Sequence, residues 1–442
     1  MSVVFVAAMF MNIMDATIVN VAIPTLGRDF HVAAASVGSV AIGYLVSLAV
    51  FIPASGWLGD RLGGKRVLLA ATLLFTVASA LCGVAGSFGE LVAFRILQGV
   101  GGGMMAPVGM AMLFRTFPPA ERIRASSILT VPTTLAPALG PVLGGLLVTD
   151  LSWRWVFYVN VPIGAAALLF GLLFLEDPRQ SDPGHFDGVG FALAGVGLGL
   201  LMYGVSEGPS KGWGTPLILG TMLIGAALLA ALVVWELRAA QPLIDMRLFA
   251  DRLYRSATGV LILGSIAFIG VLYIVALFFQ YGRGLSALGS GLSTFPEAFG
   301  VMLGAQLTSR GLYPRFGPRR VISGGLCGVA VSIGLMSLVG QTTRLWWMRL
   351  LLFAMGFAMA HVFVPCQAAA FATITPAATG RASTLFNAGR QVGSAVGVAV
   401  LSTVIAAVGV LRPVHGRLVA NLTAYHWAFL AAAAVAIVGA GV

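Results

Sequence analysis

Charge is the first thing this sequence lacks. Only 9% of its 442 residues are Asp, Glu, Lys or Arg, against about 25% in an ordinary water-soluble domain. With 59% hydrophobic residues, one aqueous core cannot hide so much apolar surface. A soluble enzyme or binding module of this length is excluded, and a polytopic membrane protein is the class that fits. Lysine is nearly missing: Lys65 and Lys211 stand beside 24 arginines. With so much Ala and Gly, that balance reads as a high-GC bacterial genome. The net charge of +11 would suggest nucleic acid in a soluble chain. In a membrane protein it marks basic cytoplasmic loops instead, so no nucleic-acid partner is expected.

Cysteine is scarce too. Cys82, Cys327 and Cys366 lie in apolar stretches, and none has a partner at metal-ligand spacing. They read as buried single thiols, with no metal site. There is no G-x-x-x-x-G-K-[ST] loop, so ATP does not drive the protein directly, and no H-E-x-x-H motif. The longest inner loops, 176–186 and 236–255, are too short to fold alone. No enzyme and no cofactor beyond a proton gradient are expected.

What is present is a series of apolar runs of membrane-spanning length. They fall at 2–24, 36–58, 67–87, 90–113, 125–148, 155–175, 187–206, 215–235, 256–280, 287–308, 320–340, 347–371, 383–408 and 425–442. The count is fourteen. The first reads as a span and not as a signal peptide, having neither a charged leader nor a cleavage-type end. The last is short and lacks a polar tail, so the chain reads as trimmed. With the N-terminus inside, sixteen loop Arg and Lys residues lie on the inner side and eight on the outer; Arg95 and Arg390 fall within spans. That bias predicts a multi-pass protein of the bacterial cytoplasmic membrane with both termini cytoplasmic.

The chain also repeats itself. "GWLGDRLGGKRVLL" (56–69) matches "RGLYPRFGPRRVIS" (310–323) at constant offset: Leu58 with Leu312, Arg61 with Arg315, Gly63 with Gly317, Lys65 with Arg319 and Arg66 with Arg320. Asp60 has no counterpart, since Pro314 takes its place. Each stretch follows the second span of a six-span block, as two related bundles in tandem require. The expected organisation is an N-terminal six-helix bundle (1–178), an inserted transmembrane hairpin with linkers (179–240) and a C-terminal six-helix bundle (241–442).

Several stretches resemble signatures of the major facilitator superfamily, in its fourteen-span drug:proton antiporter branch. They are "GWLGDRLGGKR" after span two, "RILQGVGGGMMAP" (95–107) in span four and "APALGPVLGGLL" (136–147) in span five. "MDATIVNVAIPTL" (14–26), "WRWVFYVNVPIG" (153–164) and "NAGRQVGSAVGVAVL" (387–401) complete the set. Ala136 and Gly64 depart from the usual residues. The resemblance implies an all-α polytopic membrane protein with the major facilitator fold. It also implies alternating access, and a span-five antiporter motif, Pro137, Gly140, Pro141, Gly144 and Gly145, that governs sealing between states.

Intramembrane ionisable groups are costly and functional by default: a carboxylate at mid-depth costs roughly 2.5–3.5 kcal/mol on insertion scales. Asp15 lies about thirteen residues, roughly 20 Å, from the inner end of span one. Arg95 lies within about a turn of that depth, and spans one and four are neighbours in the resembled fold. Asp15 with Arg95 is therefore expected to be a proton-coupling site or a static packing pair. Burial favours a neutral acid and a nearby cation favours a carboxylate, so alternating surroundings move protons.

Glu297, beside the helix-loosening Pro296, is expected to line the central cavity and to bind cations or a second proton; the alternative pairs it permanently with Arg390. Gln98, His361, Gln367, Asn387 and Arg390 are further cavity candidates. Asp60, Arg61, Arg66, Arg115 and Arg122 form a candidate inner-face conformational switch, with Asp60 also able to cap a neighbouring helix. Gly389, Gly393 and Gly397 flatten one helix face for close packing.

Abundant Met and aromatic side chains suit lipophilic substrates. The leading expectation is a monomeric proton-coupled antiporter exporting lipophilic, often cationic drugs. The alternatives are an exporter of one dedicated metabolite or antibiotic, a nutrient symporter, and a non-transporting receptor. Its partners are small lipophilic compounds, protons and the lipid bilayer.

Overall fold

The computed structural model describes residues 2–32, 37–117, 121–176, 185–239, 242–409, 411–414 and 417–441. Within these it is a bundle of fourteen long helical elements. The first half holds α1 (Ser2–Asp29), α2 (Ser39–Leu62), α3 (Gly64–Val84), α4 (Phe88–Thr116), α5 (Arg122–Asp150) and α6 (Asn160–Phe174). Then come α7 (Gly188–Lys211) and α8 (Pro216–Arg238). The second half holds α9 (Arg252–Leu277) and α10, in two segments, Ala287–Thr294 and Pro296–Leu307. It continues with α11 (Tyr313–Met336), α12 (Leu345–Ala370), α13 (Thr379–Val408) and α14 (Leu422–Gly441).

Helices dominate because lipid offers backbone groups no hydrogen-bond partner, so each segment must satisfy its own. Among the described residues twelve stretches are long and apolar enough to cross a membrane. One of them, Leu288–Met336, runs through both α10 and α11, while the apolar part of α5, Leu135–Asp150, is shorter. One element departs from the all-helical expectation. Between α13 and α14 the backbone of Leu411–Val414 pairs antiparallel with that of Arg417–Ala420.

Polar caps set several helix starts. Ser87, Asp187, Asp251 and Ser286 each accept a backbone N–H from the first turn of α4, α7, α9 and α10. The repeated loop has a structural counterpart. Gly63 (φ 92°), between α2 and α3, and its match Gly317 (φ 73°), at a kink within α11, both adopt positive φ, which a side chain would resist, and both turn the chain sharply. In α10 the helix breaks at Phe295–Pro296, where proline has no N–H to offer the preceding turn.

Within the first half, α4 packs on α2 and α3, and α1 on α5 and α6. Within the second, α12 packs on α10 and α11, and α9 on α13 and α14. The halves meet where α13 crosses α2 and α4, and where α5 meets α10 and α12. The hairpin α7–α8 packs on itself, and its α7 rests on α2 of one half and α13 of the other. Phe191 of α7 sits on Phe51 (6.0 Å), and Trp213, in the turn after α7, donates to Thr403 Oγ1 of α13 (2.8 Å). The expected flat face of α13 is present. A Cβ on Gly393 or Gly397 would lie 2.8 Å from Ile262 O or 2.2 Å from Ile266 O, so α9 and α13 touch backbone to backbone.

Candidate functional site

The two mid-span carboxylates singled out in the sequence, Asp15 and Glu297, occupy unlike surroundings. Asp15 is completely buried among α1, α2, α3, α4 and α6. Its Oδ2 accepts from Arg95 Nη1 at 2.5 Å, and its Oδ1 accepts from Gln98 Nε2 and Asn160 Nδ2, both at 2.9 Å. Arg95 also donates to Gln98 Oε1 (2.7 Å) and Val40 O (3.2 Å), and its guanidinium lies 4.3 Å from the centre of the Tyr44 ring. Asn160 donates in turn to Ser79 Oγ, which donates to Phe157 O. Both Asp15 oxygens therefore have donors, and Arg95 meets three acceptors through Nε and Nη1, as a buried ion pair requires, while Asn160 Oδ1 is left buried without a partner. Gly140 and Gly144 of α5 press on α1 beside this cluster: a Cβ on Gly140 would lie 2.1 Å from Thr17 Oγ1, and one on Gly144 3.0 Å from Ile18 O.

Glu297 is 1% exposed and Glu297 Oε1 has no hydrogen-bond partner. It lines a cavity together with Ser265 of α9, Gln367 of α12 and Arg390 and Ser394 of α13. Ser265 Oγ and Gln367 Oε1 are likewise buried without partners. The opposite wall comes from Phe5 and Met9 of α1, Met110 of α4 and Pro137 of α5. Among the described residues Glu297 and Arg390 form no ion pair, so the permanent pairing set as the alternative is absent.

At the end of the bundle that carries the repeated loops, Asp60 Oδ1 accepts from Arg115 Nη2 at 2.6 Å. Arg115 Nε donates across the halves to Pro376 O (3.2 Å), and Asp60 lies against Gly380 in the first turn of α13, where a carboxylate complements the helix dipole. Beneath them Ser383 donates to Pro107 O (2.7 Å) and Phe114 stacks on Phe371 at 4.5 Å. This end is closed by contacts between the halves.

Several expectations need correction. Gln98 belongs to the Asp15 cluster and does not line the cavity, because it stands one turn after Arg95 on the same face of α4. His361 turns away from the cavity, its Nδ1 meeting Phe357 O at 2.7 Å, and it packs against Gly325 of α11. Asn387 donates to Ser383 O and to Met110 Sδ and is also absent from the cavity wall. Arg61 and Arg66 are exposed. The side chains of Arg122 and Pro141 lie outside the described residues. Gly145 faces open space, unlike Gly140 and Gly144. The sequence reading missed Asn160, Ser79 and Ser265. Asn160 carried a readable signal, an amide inside an apolar run, whereas the serines carried none.

A helical bundle with polar clusters inside its apolar stretches, and with an equivalent turn within each of its two halves, fits a multi-pass membrane transporter. The family model of the Major Facilitator Superfamily matches residues 5–398 and, again, 299–442, and the chain belongs to that superfamily. It is 34% identical over 408 residues to a "Multidrug resistance protein B homolog" of Mycobacterium tuberculosis, covering 91% of this chain and 75% of that one. It is 33% identical over 399 residues to a "Tetracenomycin C resistance and export protein" of Streptomyces glaucescens, covering 89% and 73%. It is 31% identical over 422 residues to a "Putative multidrug resistance protein MdtD" of Serratia proteamaculans, covering 95% and 87%. The crystal structure of the human organic anion transporter MFSD10 superposes with a TM-score of 0.71 at 18% identity, covering 100% of this chain and 98% of that one, a likeness of fold.

Proposed function

We propose that the protein is a proton-coupled antiporter that exports lipophilic, often cationic compounds from the bacterial cytoplasm. In this reading the chain crosses the cytoplasmic membrane fourteen times, as a monomer with both termini inside. Residues 1–178 and 241–442 are the two moving bundles, and 179–240 is an inserted hairpin. The end closed by Asp60 and Arg115 is then the cytoplasmic end, and the captured state is shut to the cytoplasm. Breaking Asp60–Arg115 is the switch that opens it.

One observation carries this reading. Glu297 is an intramembrane acid with an unpartnered oxygen, set in a cavity walled by Phe, Met and Pro. Such a group takes up a proton or a cationic substrate, and cannot comfortably hold neither. The names of the relatives, two multidrug resistance proteins and one export protein, point to the same class. Asp15, sealed by Arg95, Gln98 and Asn160, serves either as a second proton site reached in another state or as a fixed pair.

The test is efflux from proteoliposomes. An imposed pH gradient is expected to drive a fluorescent cationic dye against its own gradient, and Glu297→Gln to abolish this. Dye movement that ignores the pH gradient would remove proton coupling. A second reading, export of one dedicated antibiotic, draws support from the tetracenomycin C relative. A panel of dyes and quaternary ammonium compounds separates the two: broad efflux supports the first, a single substrate the second.

A further inference from the structure

The two walls of the central cavity differ in kind. Every polar lining side chain, Ser265, Glu297, Gln367, Arg390 and Ser394, comes from the second half. The first half contributes Phe5, Met9, Met110 and Pro137, all apolar, and the second half sets Phe268, Ile269, Leu272 and Phe363 beside its own polar groups. Three oxygens on the polar wall, Ser265 Oγ, Glu297 Oε1 and Gln367 Oε1, are buried without partners. The same wall carries the Arg390 guanidinium, which makes no ion pair among the described residues and no hydrogen bond to them. Acceptors and a cationic donor thus stand unused on one surface, facing an apolar one.

From this we infer the class of compound the cavity takes: an amphoteric aromatic molecule that has an apolar face and carries both an N–H or ammonium donor and an acidic group. The donor meets Glu297, Gln367 and Ser265. The acid meets Arg390, whose planar fork suits a carboxylate or an ionised phenol. A purely cationic ligand would satisfy Glu297 and leave Arg390 buried against it. A purely anionic one would do the reverse. Only an amphoteric ligand satisfies both, so Arg390 acts as the selectivity element within the site of the export reading, on which this inference rests.

Equilibrium dye binding to the purified full chain in lipid nanodiscs, read by fluorescence polarisation, tests this. The probes are the parent rhodamine with a free carboxylate and unsubstituted amines, its methyl ester, and the tetramethylrhodamine counterparts of both. In the wild type the parent acid is expected to bind at least about ten-fold tighter than its ester, the worth of one charge-assisted pair. Arg390→Gln is expected to bring the two to equal affinity, and Arg390→Lys to retain part of the preference. Glu297→Gln is expected to weaken acid and ester alike while keeping their ratio.

An ester that binds as tightly as the acid to the wild type would overturn the inference, as would an acid preference that survives in Arg390→Gln. Failure of the parent acid to bind at all would also overturn it. Gradient-driven transport is measured separately in proteoliposomes. A loss of proton coupling there sinks the export reading and leaves the binding preference standing.

Discussion

Asp15 and Glu297 are both acids buried in the membrane-spanning part of the chain, one in each half, yet they are held in opposite ways. Asp15 meets Arg95, Gln98 and Asn160 within 2.9 Å, and those partners are themselves hydrogen-bonded. Glu297 has an unpartnered oxygen and lines a cavity together with an arginine that makes no ion pair among the described residues. A carboxylate with every partner supplied holds a structure together; one left incomplete is ready for something that comes and goes. The difference teaches that burial alone does not mark a working acid. What surrounds the acid does.

The comparison breaks most easily at Asp15. Asp15→Ala strands a fully buried Arg95, which should cost about 3–5 kcal/mol. Little folded protein is expected on size-exclusion chromatography, and Asp15→Ala with Arg95→Leu should recover part of the thermal stability. A single variant as stable as the wild type would end the picture of a structural pair. Glu297→Gln should do the reverse, shifting stability by less than about 1 kcal/mol because the carboxylate completes no network. Thermal unfolding in detergent checks this against the loss of gradient-driven efflux.

A smaller effect is expected at the closed end. Asp60→Asn removes the charge that Arg115 meets at 2.6 Å and should raise the opening of that end roughly five- to ten-fold, the worth of about 1 kcal/mol or more. Maleimide labelling of a cysteine placed at the buried Thr384 would report it, with Cys327, the exposed native thiol, replaced.

The mildest change is at Asp251, outside the spans. Its carboxyl is held below the usual range by the Tyr254 N–H and then by the Thr373 side chain, and it caps α9. Asp251→Ala should cost about 1 kcal/mol. Because the folded pKa is depressed, the stabilisation is fully present above the ordinary carboxylate value, about pH 4, and is lost as pH falls through the lowered one. The difference in unfolding between variant and wild type should therefore be constant from neutral pH downward and shrink only in acid.

Helix number and order were legible from apolar length and Gly, Pro and charge punctuation, because lipid imposes both. The Asp15–Arg95 contact followed from matching depths together with the neighbouring of spans one and four in the resembled fold, and the turns at Gly63 and Gly317 from the internal repeat. What could not be read was rotation. Helices apolar nearly all round carry no face that fixes which side chain meets which neighbour, so Gln98, His361 and Asn387 were assigned to the cavity. For Gln98 the spacing of three from Arg95 held the answer. The strands at 411–420 follow no apolar run and left no trace in a count of spans.

The bare-backbone contact of α9 with α13 has a mechanical result. A methyl at Gly393 or Gly397 would strike Ile262 or Ile266, so the two helices are locked like planks in a single beam. Arg390 rides on that beam together with Ser265. Their spacing is therefore set by that backbone contact, like the fixed jaw of a caliper with a greasy jaw opposite.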